Sequence, residues 1–346
     1  MDKAGQGYWD AHWKRQGLRS AAGLGSVASL PAPFDAFLLW IERELVARRM
    51  TSRATKLVEV GCARSVILPA LHRRLDVTIA GIDYSPVGCE QARKVLQELE
   101  IAAEILCVNV FDCPQQLREG FDVVISFGLV EHFSDTSAVM SALAWLLRPG
   151  GVMFTTIPNM RGAVGALQKF VNREIYDIHV PLSAAQLRRA HEEAGLSVVS
   201  CRYFLPMLFG VLNLGKPRRN KASWWAKRII VSVLARASLA VCALDRAGLS
   251  VPESSLFSPY VVCVAEKTPP GGWGPDRAAP VPPPNRPRGR PLWPAPSGRE
   301  TPAPPDQALL RAPIDILVAP GAEEADRPPE PPPCRRGCDM LRRKPA

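Results

Sequence analysis

The sequence predicts a doubly wound α/β protein, a mainly parallel sheet covered by helices on both faces. Three observations point there. Short apolar runs alternate with helical patterns from residue 56 to residue 204. The runs are continuously apolar, as strands buried on both faces are. The first four run into a glycine or a polar residue, where open sheets of this class receive their ligands.

The elements follow in order. Tyr8-Trp9-Asp10-Ala11-His12-Trp13 opens the chain with three aromatic residues in six. Residues 33–50 place Phe34, Phe37, Leu38, Ile41 and Leu45 on one helical face. A strand at Lys56–Val60 runs into Gly61, and a helix covers 66–74. A second strand, 77–82, ends at Asp83; Ser85-Pro86 then starts a helix over 85–99, serine as cap and proline in the first turn. Strands at 104–108 and 121–126 come next, then a helix over 135–147 stopped by Arg148-Pro149-Gly150-Gly151. A fifth strand, 152–157, ends at Pro158, and a helix over 183–194 precedes Gly195. Leu196–Phe204 and residues 259–266 read as the last strands, and the fifty or so residues between them are too many for a loop, so they carry structure of their own.

Composition limits the foldable part. Of the 34 prolines in 346 residues, 22 lie in residues 268–346, a segment with little to bury and so expected to be disordered. The expected organisation is a helical aromatic cap over 1–50, one domain over 51–267 with a helical insertion near 205–257, and the proline-rich tail. Collagen, coiled-coil and disulfide-scaffold classes are excluded. Nine cysteines scatter without a framework, and the first sixteen residues lack the apolar stretch of a signal peptide, which together fit a cytoplasmic protein. Cys334 and Cys338 have the wrong spacing for a redox pair, and no metal site is expected. The formal net charge is +10; residues 202–236 hold eight basic residues and no acidic one.

The strand ends carry the chemistry. Gly61 permits a tight turn, and the small residues Cys62, Ala63 and Ser65 let a ligand approach the backbone. Asp83 offers a carboxylate to two ribose hydroxyls, and Asn109 offers donor and acceptor to a base edge. The fourth strand likewise runs into Ser126-Phe127-Gly128 and Glu131-His132; each signal has a plain structural alternative as a cap or turn, but four in register suggest a nucleoside-bearing ligand. The loop after the first strand lacks the GxGxxG of a dinucleotide site.

Val58-Glu59-Val60-Gly61-Cys62, Gly81-Ile82-Asp83-Tyr84-Ser85, Phe121-Asp122-Val123-Val124 and Leu147-Arg148-Pro149-Gly150-Gly151 fall in the order seen in class I S-adenosylmethionine-dependent methyltransferases. The chain resembles their small-molecule branch (type 11/12) over residues 7–204 and 258–267, including the Glu131-His132 motif after the fourth strand. The resemblance implies a Rossmann-like seven-stranded sheet with an antiparallel last strand, and S-adenosylmethionine as cofactor. It implies Glu59 and Gly61 against the methionine part, Asp83 on the ribose, Tyr84 and Asn109 at the adenine and Phe127 near the sulfonium, with Cys62, Ala63, Ser85 and Val110 completing the cofactor contacts. The chain departs from the family's GxGxG loop, keeping only its first glycine.

Methyl transfer to a hydroxyl needs a base, and His132, beyond the fourth strand, is the first candidate for base or acceptor-orienting residue; His179 is a candidate for the acceptor pocket. Tyr8, Trp9 and Trp13 are candidates for a lid over the acceptor. His72 and His191 read as surface residues. In the insertion, Trp225, Ile229, Val233, Ala237 and Val241 form an apolar helical row beside Arg228 and Arg236. That pattern fits peripheral membrane contact through residues 205–249, or a lid helix on the core. The sequence shows no nucleic-acid reading module, so nucleic acid is not expected as a partner. The expected activity is methylation of a small, lipophilic acceptor at oxygen. The rival is a catalytically silent Rossmann module that tethers a membrane or a partner.

Overall fold

A computed structural model describes residues 2–17, 34–215, 222–246, 249 and 251–269. All but the first two residues of the proline-rich tail lie outside the described residues, as do Lys216, Arg218, Arg219 and Lys221 of the basic segment. A seven-stranded sheet organises the rest: β1 (Lys56–Val60), β2 (Thr78–Asp83), β3 (Glu104–Cys107), β4 (Phe121–Phe127), β5 (Leu147–Pro158), β6 (Leu196–Phe204) and β7 (Tyr260–Lys267), in the order β3-β2-β1-β4-β5-β7-β6. The first five strands pair in parallel, and β7 is antiparallel to both β5 and β6. The expected Rossmann-like sheet with its antiparallel last strand is what forms. Strand order reverses between β1 and β4, which puts a crevice at their carboxyl ends.

Strand side chains alternate between faces and feed two cores. On one face Leu57, Ile79, Ile125 and Phe154 pack with α2 (Phe34–Ala47), α3 (Ile67–Leu75) and α4 (Pro86–Glu98). On the other, Val58, Ile82, Val124 and Met153 pack with α5 (Thr136–Leu146) and α8 (Ala184–Glu193). Caps set the helix starts. Ser85 accepts a hydrogen bond from the Gly88 amide with Pro86 in the first turn, and Ser183 and Gln186 form a reciprocal capping box.

The structure adjusts several expectations. The aromatic opening is a full helix, α1 (Gln6–Gln16). Residues 163–177, left unassigned by the sequence pattern, form α6 (Ala163–Val171) and α7 (Arg173–Asp177). The stop at Arg148-Pro149-Gly150-Gly151 lies inside β5. Phe121 pairs with Leu147 and Val123 with Val152, so the intervening residues bulge, with Gly150 at φ 75°. His191 is not a surface residue. It is fully buried on the inner face of α8, its Nδ1 2.8 Å from the Leu187 carbonyl and its Nε2 2.9 Å from the Thr155 hydroxyl. His72 is half-buried against the Val77 carbonyl.

The insertion forms a long helix, α9 (Ala222–Arg246), which packs on α6 and on the turn Phe209–Val211 through a small third cluster. Its buried residues Trp224, Val231 and Ser238 recur every seven positions, a narrow stripe, while Trp225, Ile229 and Val233 stand exposed. Among the described residues no helix is long and apolar enough to cross a membrane.

Candidate functional site

The site is built at the reversal of strand order. Gly61 leaves β1 at φ 84°, a conformation that favours glycine, and a Cβ there would also touch Leu129 at 3.4 Å. Gly128 leaves β4 at φ 63°. Between and beyond these two turns lie two chambers.

The first, of 230 Å³, is lined by Gly61, Asp83, Tyr84, Asn109, Val110 and Phe111, among others. The three residues proposed to grip one adenosyl group therefore border a single open space. Their polar groups are already engaged with the protein. Asp83 accepts from the Ala63 amide (3.1 Å) and the Ser85 amide (2.8 Å), and Asn109 accepts from the Phe111 amide (3.2 Å). Tyr84 donates its hydroxyl to Asp2. Burial raises the Asp83 carboxyl to about 6, partly opposed by the backbone amides that bond it.

The second chamber, of 200 Å³, is lined by Glu59, Ala63, Phe127, Glu131, His132, His179, Thr156 and Tyr260 among others. Glu59 is buried, which pushes it to about 7, and it accepts from the Ser65 hydroxyl at 2.5 Å. Burial lowers His132 to about 4 and His179 to about 3, so both rings are neutral near pH 7. Each ring places Nδ1 against a carbonyl oxygen, Ile178 at 3.0 Å for His132 and Ile175 at 2.6 Å for His179. A carbonyl only accepts, so the proton sits on Nδ1 and the Nε2 lone pairs are left to act. Three buried oxygens of this chamber, Glu131 Oε2, Thr156 Oγ1 and the Tyr260 hydroxyl, have no hydrogen-bond partner among the described residues. Buried polar atoms are almost always paired, so this concentration marks a place for a polar ligand group.

Gly61, Gly128, Trp9, Trp13 and His132 border both chambers. Trp9 and Trp13 come from α1, which is strapped across the strand ends. Trp9 Nε1 donates to Asp2 at 3.3 Å, the Ser85 hydroxyl donates to Asp10 at 2.5 Å and Gln91 donates to the Trp13 carbonyl at 3.0 Å. Trp9 also meets the His132 ring edge-on, centroids 4.9 Å apart.

The structure gathers Tyr8, Trp9, Trp13, Glu59, Gly61, Ala63, Asp83, Tyr84, Asn109, Val110, Phe127, His132 and His179 around these two spaces. It does not bring Cys62 or Ser85 to them. The Cys62 side chain is buried in the core, where it meets Gly81, and Ser85 caps α4. Sequence reasoning gave no role to Glu131, Thr156 or Tyr260. An acid inside the apolar run Leu129-Val130-Glu131 was a readable signal; Thr156 and Tyr260 carried none, since they meet only through the β5–β7 pairing.

Residues 36–201 match the methyltransferase-domain family. The chain is 28% identical over 159 residues to a ubiquinone biosynthesis O-methyltransferase of Neisseria meningitidis serogroup C, covering 43% of this chain and 67% of that protein. It is 31% identical over 149 residues to the protein of that name from Thiobacillus denitrificans, covering 41% and 64%. The chain thus spans about two thirds of the length of the curated relatives it matches. Among solved structures, geranyl diphosphate C-methyltransferase from Streptomyces coelicolor, crystallised with S-adenosylhomocysteine, is 17% identical with a TM-score of 0.47, covering 68% of this chain and 76% of that one. Residues 36–201 thus carry a methyltransferase domain, similar to those of the curated O-methyltransferases, with its crevice at the reversal of strand order.

Proposed function

We propose that the chain transfers the methyl of S-adenosylmethionine to a hydroxyl of a small, lipophilic acceptor, with the cofactor in the first chamber and the acceptor in the second. The observation that carries this reading is the shared wall. Displacement at a sulfonium methyl is in line and water-excluding, and two chambers meeting at Gly61, Gly128 and His132 supply that line. The names of the curated relatives agree with an oxygen acceptor.

In this reading Asp83 takes the ribose, Tyr84, Asn109 and Val110 bracket the adenine, and Glu59, Gly61 and Ala63 face the methionine part. Phe127 lies near the sulfonium, and Tyr8, Trp9 and Trp13 close the lid. His132 and His179, with Nε2 as acceptors, orient the acceptor hydroxyl and receive its hydrogen bond. With pKa values near 4 and 3 they are weak bases, so we assign them orientation first. We take residues 51–267 as the catalytic domain and place the protein in the cytoplasm.

Titration calorimetry with S-adenosylmethionine and S-adenosylhomocysteine, paired with mass-spectrometric detection of methyl transfer to catechols carrying alkyl chains, tests this. Saturable binding and a mass gain of one methyl are expected. Binding without transfer to any hydroxyl-bearing acceptor would defeat the oxygen reading.

We further propose that the outer face of α9 rests on an anionic membrane surface. Trp225, Ile229 and Val233 are 44%, 62% and 59% exposed in one row, with Arg228 and Arg236 beside them, the arrangement of an interfacial helix. Such a face would bring a lipophilic acceptor to the site from the bilayer. Ile229→Asp/Val233→Asp should cut co-sedimentation with phosphatidylglycerol vesicles several-fold; undiminished sedimentation would refute the contact.

A further inference from the structure

We propose that Glu131, His132 and His179 bind a divalent metal ion of the kind that takes imidazole nitrogen, zinc or cobalt being representative, at the inner end of the acceptor chamber. The sequence reading expected no metal, because the ligands come from two segments 47 positions apart and match no spacing motif. The fold brings them together: their ligating atoms all lie within 4.8 Å of one another, and all three side chains are buried.

Three features distinguish this cluster from an ordinary buried polar group. First, both imidazoles are held in one tautomer. His132 Nδ1 bonds the Ile178 carbonyl at 3.0 Å and His179 Nδ1 bonds the Ile175 carbonyl at 2.6 Å, so each Nε2 offers a lone pair. A ring whose other nitrogen donates to a carbonyl is the usual form of a metal-bound histidine. Second, Glu131 Oε2 is buried without a partner among the described residues, in the same chamber. A cation at the centre of the cluster would give that oxygen and the two lone pairs a common partner. Third, the two segments are fixed before any ion arrives. The Val180 amide donates to the Glu131 carbonyl at 2.6 Å, and the His132 and His179 rings stand with centroids 4.6 Å apart.

Bonds of about 2.1 Å to two nitrogens and one oxygen need donor separations of about 3–4 Å, within reach of side-chain adjustment. Two neutral imidazoles and one carboxylate are a donor set for a first-row transition ion with an open position. The inference rests on the proposed acceptor reading for the ion's role, but not for its binding; with the ion in place the two Nε2 lone pairs hold it instead of accepting the hydroxyl's hydrogen bond, and the ion orients the acceptor oxygen. The acceptor hydroxyl would occupy the open position, where the ion acidifies it, and its proton would pass to bulk solvent as the acceptor enters, before water is excluded. Its oxygen lone pair would then bond the methyl carbon as the carbon–sulfur bond breaks, and the sulfur departs with that electron pair as neutral S-adenosylhomocysteine.

The test uses the full chain, dialysed against chelator and titrated with Co²⁺. One equivalent should bind, with visible absorption bands of a nitrogen- and oxygen-ligated ion, and zinc should displace it. Glu131→Gln and His179→Ala, which alter residues of the acceptor chamber alone, should each weaken uptake at least tenfold, with S-adenosylmethionine calorimetry as the check on folding. Uptake by these variants equal to that of the parent would overturn the site. So would a parent that binds S-adenosylmethionine but takes up no cobalt, and that result would leave the methyltransferase reading standing. Stoichiometric cobalt without S-adenosylmethionine binding would instead sustain the metal site and defeat the proposed function.

Discussion

The two chambers are neighbours of similar size, yet only the second gathers several buried oxygens without a partner among the described residues. In the first chamber, proposed for the adenosyl group, the groups are satisfied by the chain itself: Asp83 by two amides, Asn109 by one, Tyr84 by Asp2. In the acceptor chamber Glu131, Thr156 and Tyr260 each keep a buried oxygen without a partner among the described residues. The first is organised before its ligand arrives, so binding there costs little reordering. The second carries a desolvation cost until something supplies donors or charge.

The sharpest way to break this contrast is at Asp83, whose carboxylate holds the loop and, in the proposed reading, faces the ribose. Asp83→Ala should weaken S-adenosylmethionine binding about 100-fold, close to 3 kcal/mol. The parent should also show a pH signature. Burial holds the folded-state Asp83 near 6, above its unfolded value, so the fold favours the neutral acid. Its stabilising share is complete below the unfolded pKa and is lost as pH rises through about 6. Ribose binding uses the carboxylate and moves the other way, so its ionisation alone should make affinity about tenfold lower at pH 5 than at pH 7, and that share should vanish in Asp83→Ala, leaving only the dependence due to Glu59. A parent affinity flat from pH 5 to 7 would remove the carboxylate from recognition.

The smaller test lies in the other chamber. Tyr260→Phe deletes a buried hydroxyl that has no partner among the described residues and should raise stability by about 1 kcal/mol, seen as a thermal midpoint a few degrees higher. The same change should raise the KM for acceptor. A loss of stability would mean that the hydroxyl is already satisfied, and the contrast between the chambers would fail.

The same contrast explains what the sequence revealed. The adenosyl chamber is made of successive strand ends, so Gly61, Asp83 and Asn109 each followed a legible apolar run. The strands and most helices were legible for the same reason, since double burial makes β1, β2 and β4 continuous apolar runs. The acceptor chamber joins residues from Tyr8 to Tyr260, and its members meet only after the sheet has closed. His191 was misread because one residue on a polar-looking helix gives no sign of which face it occupies until α8 is seated on β5. The bulge in β5 was hidden by Pro149-Gly150, which signal a stop when read locally and here form a kink within a paired strand.

The strap of α1 and the residues just before it border both chambers. Asp2 bonds Tyr84, the Lys3 ammonium bonds the His179 carbonyl at 2.9 Å, and Trp9 forms part of each wall. In the proposed reading, cofactor and acceptor would both pass beneath this strap. An affinity tag fused ahead of Asp2 would load that strap directly, so purification handles belong at the opposite terminus.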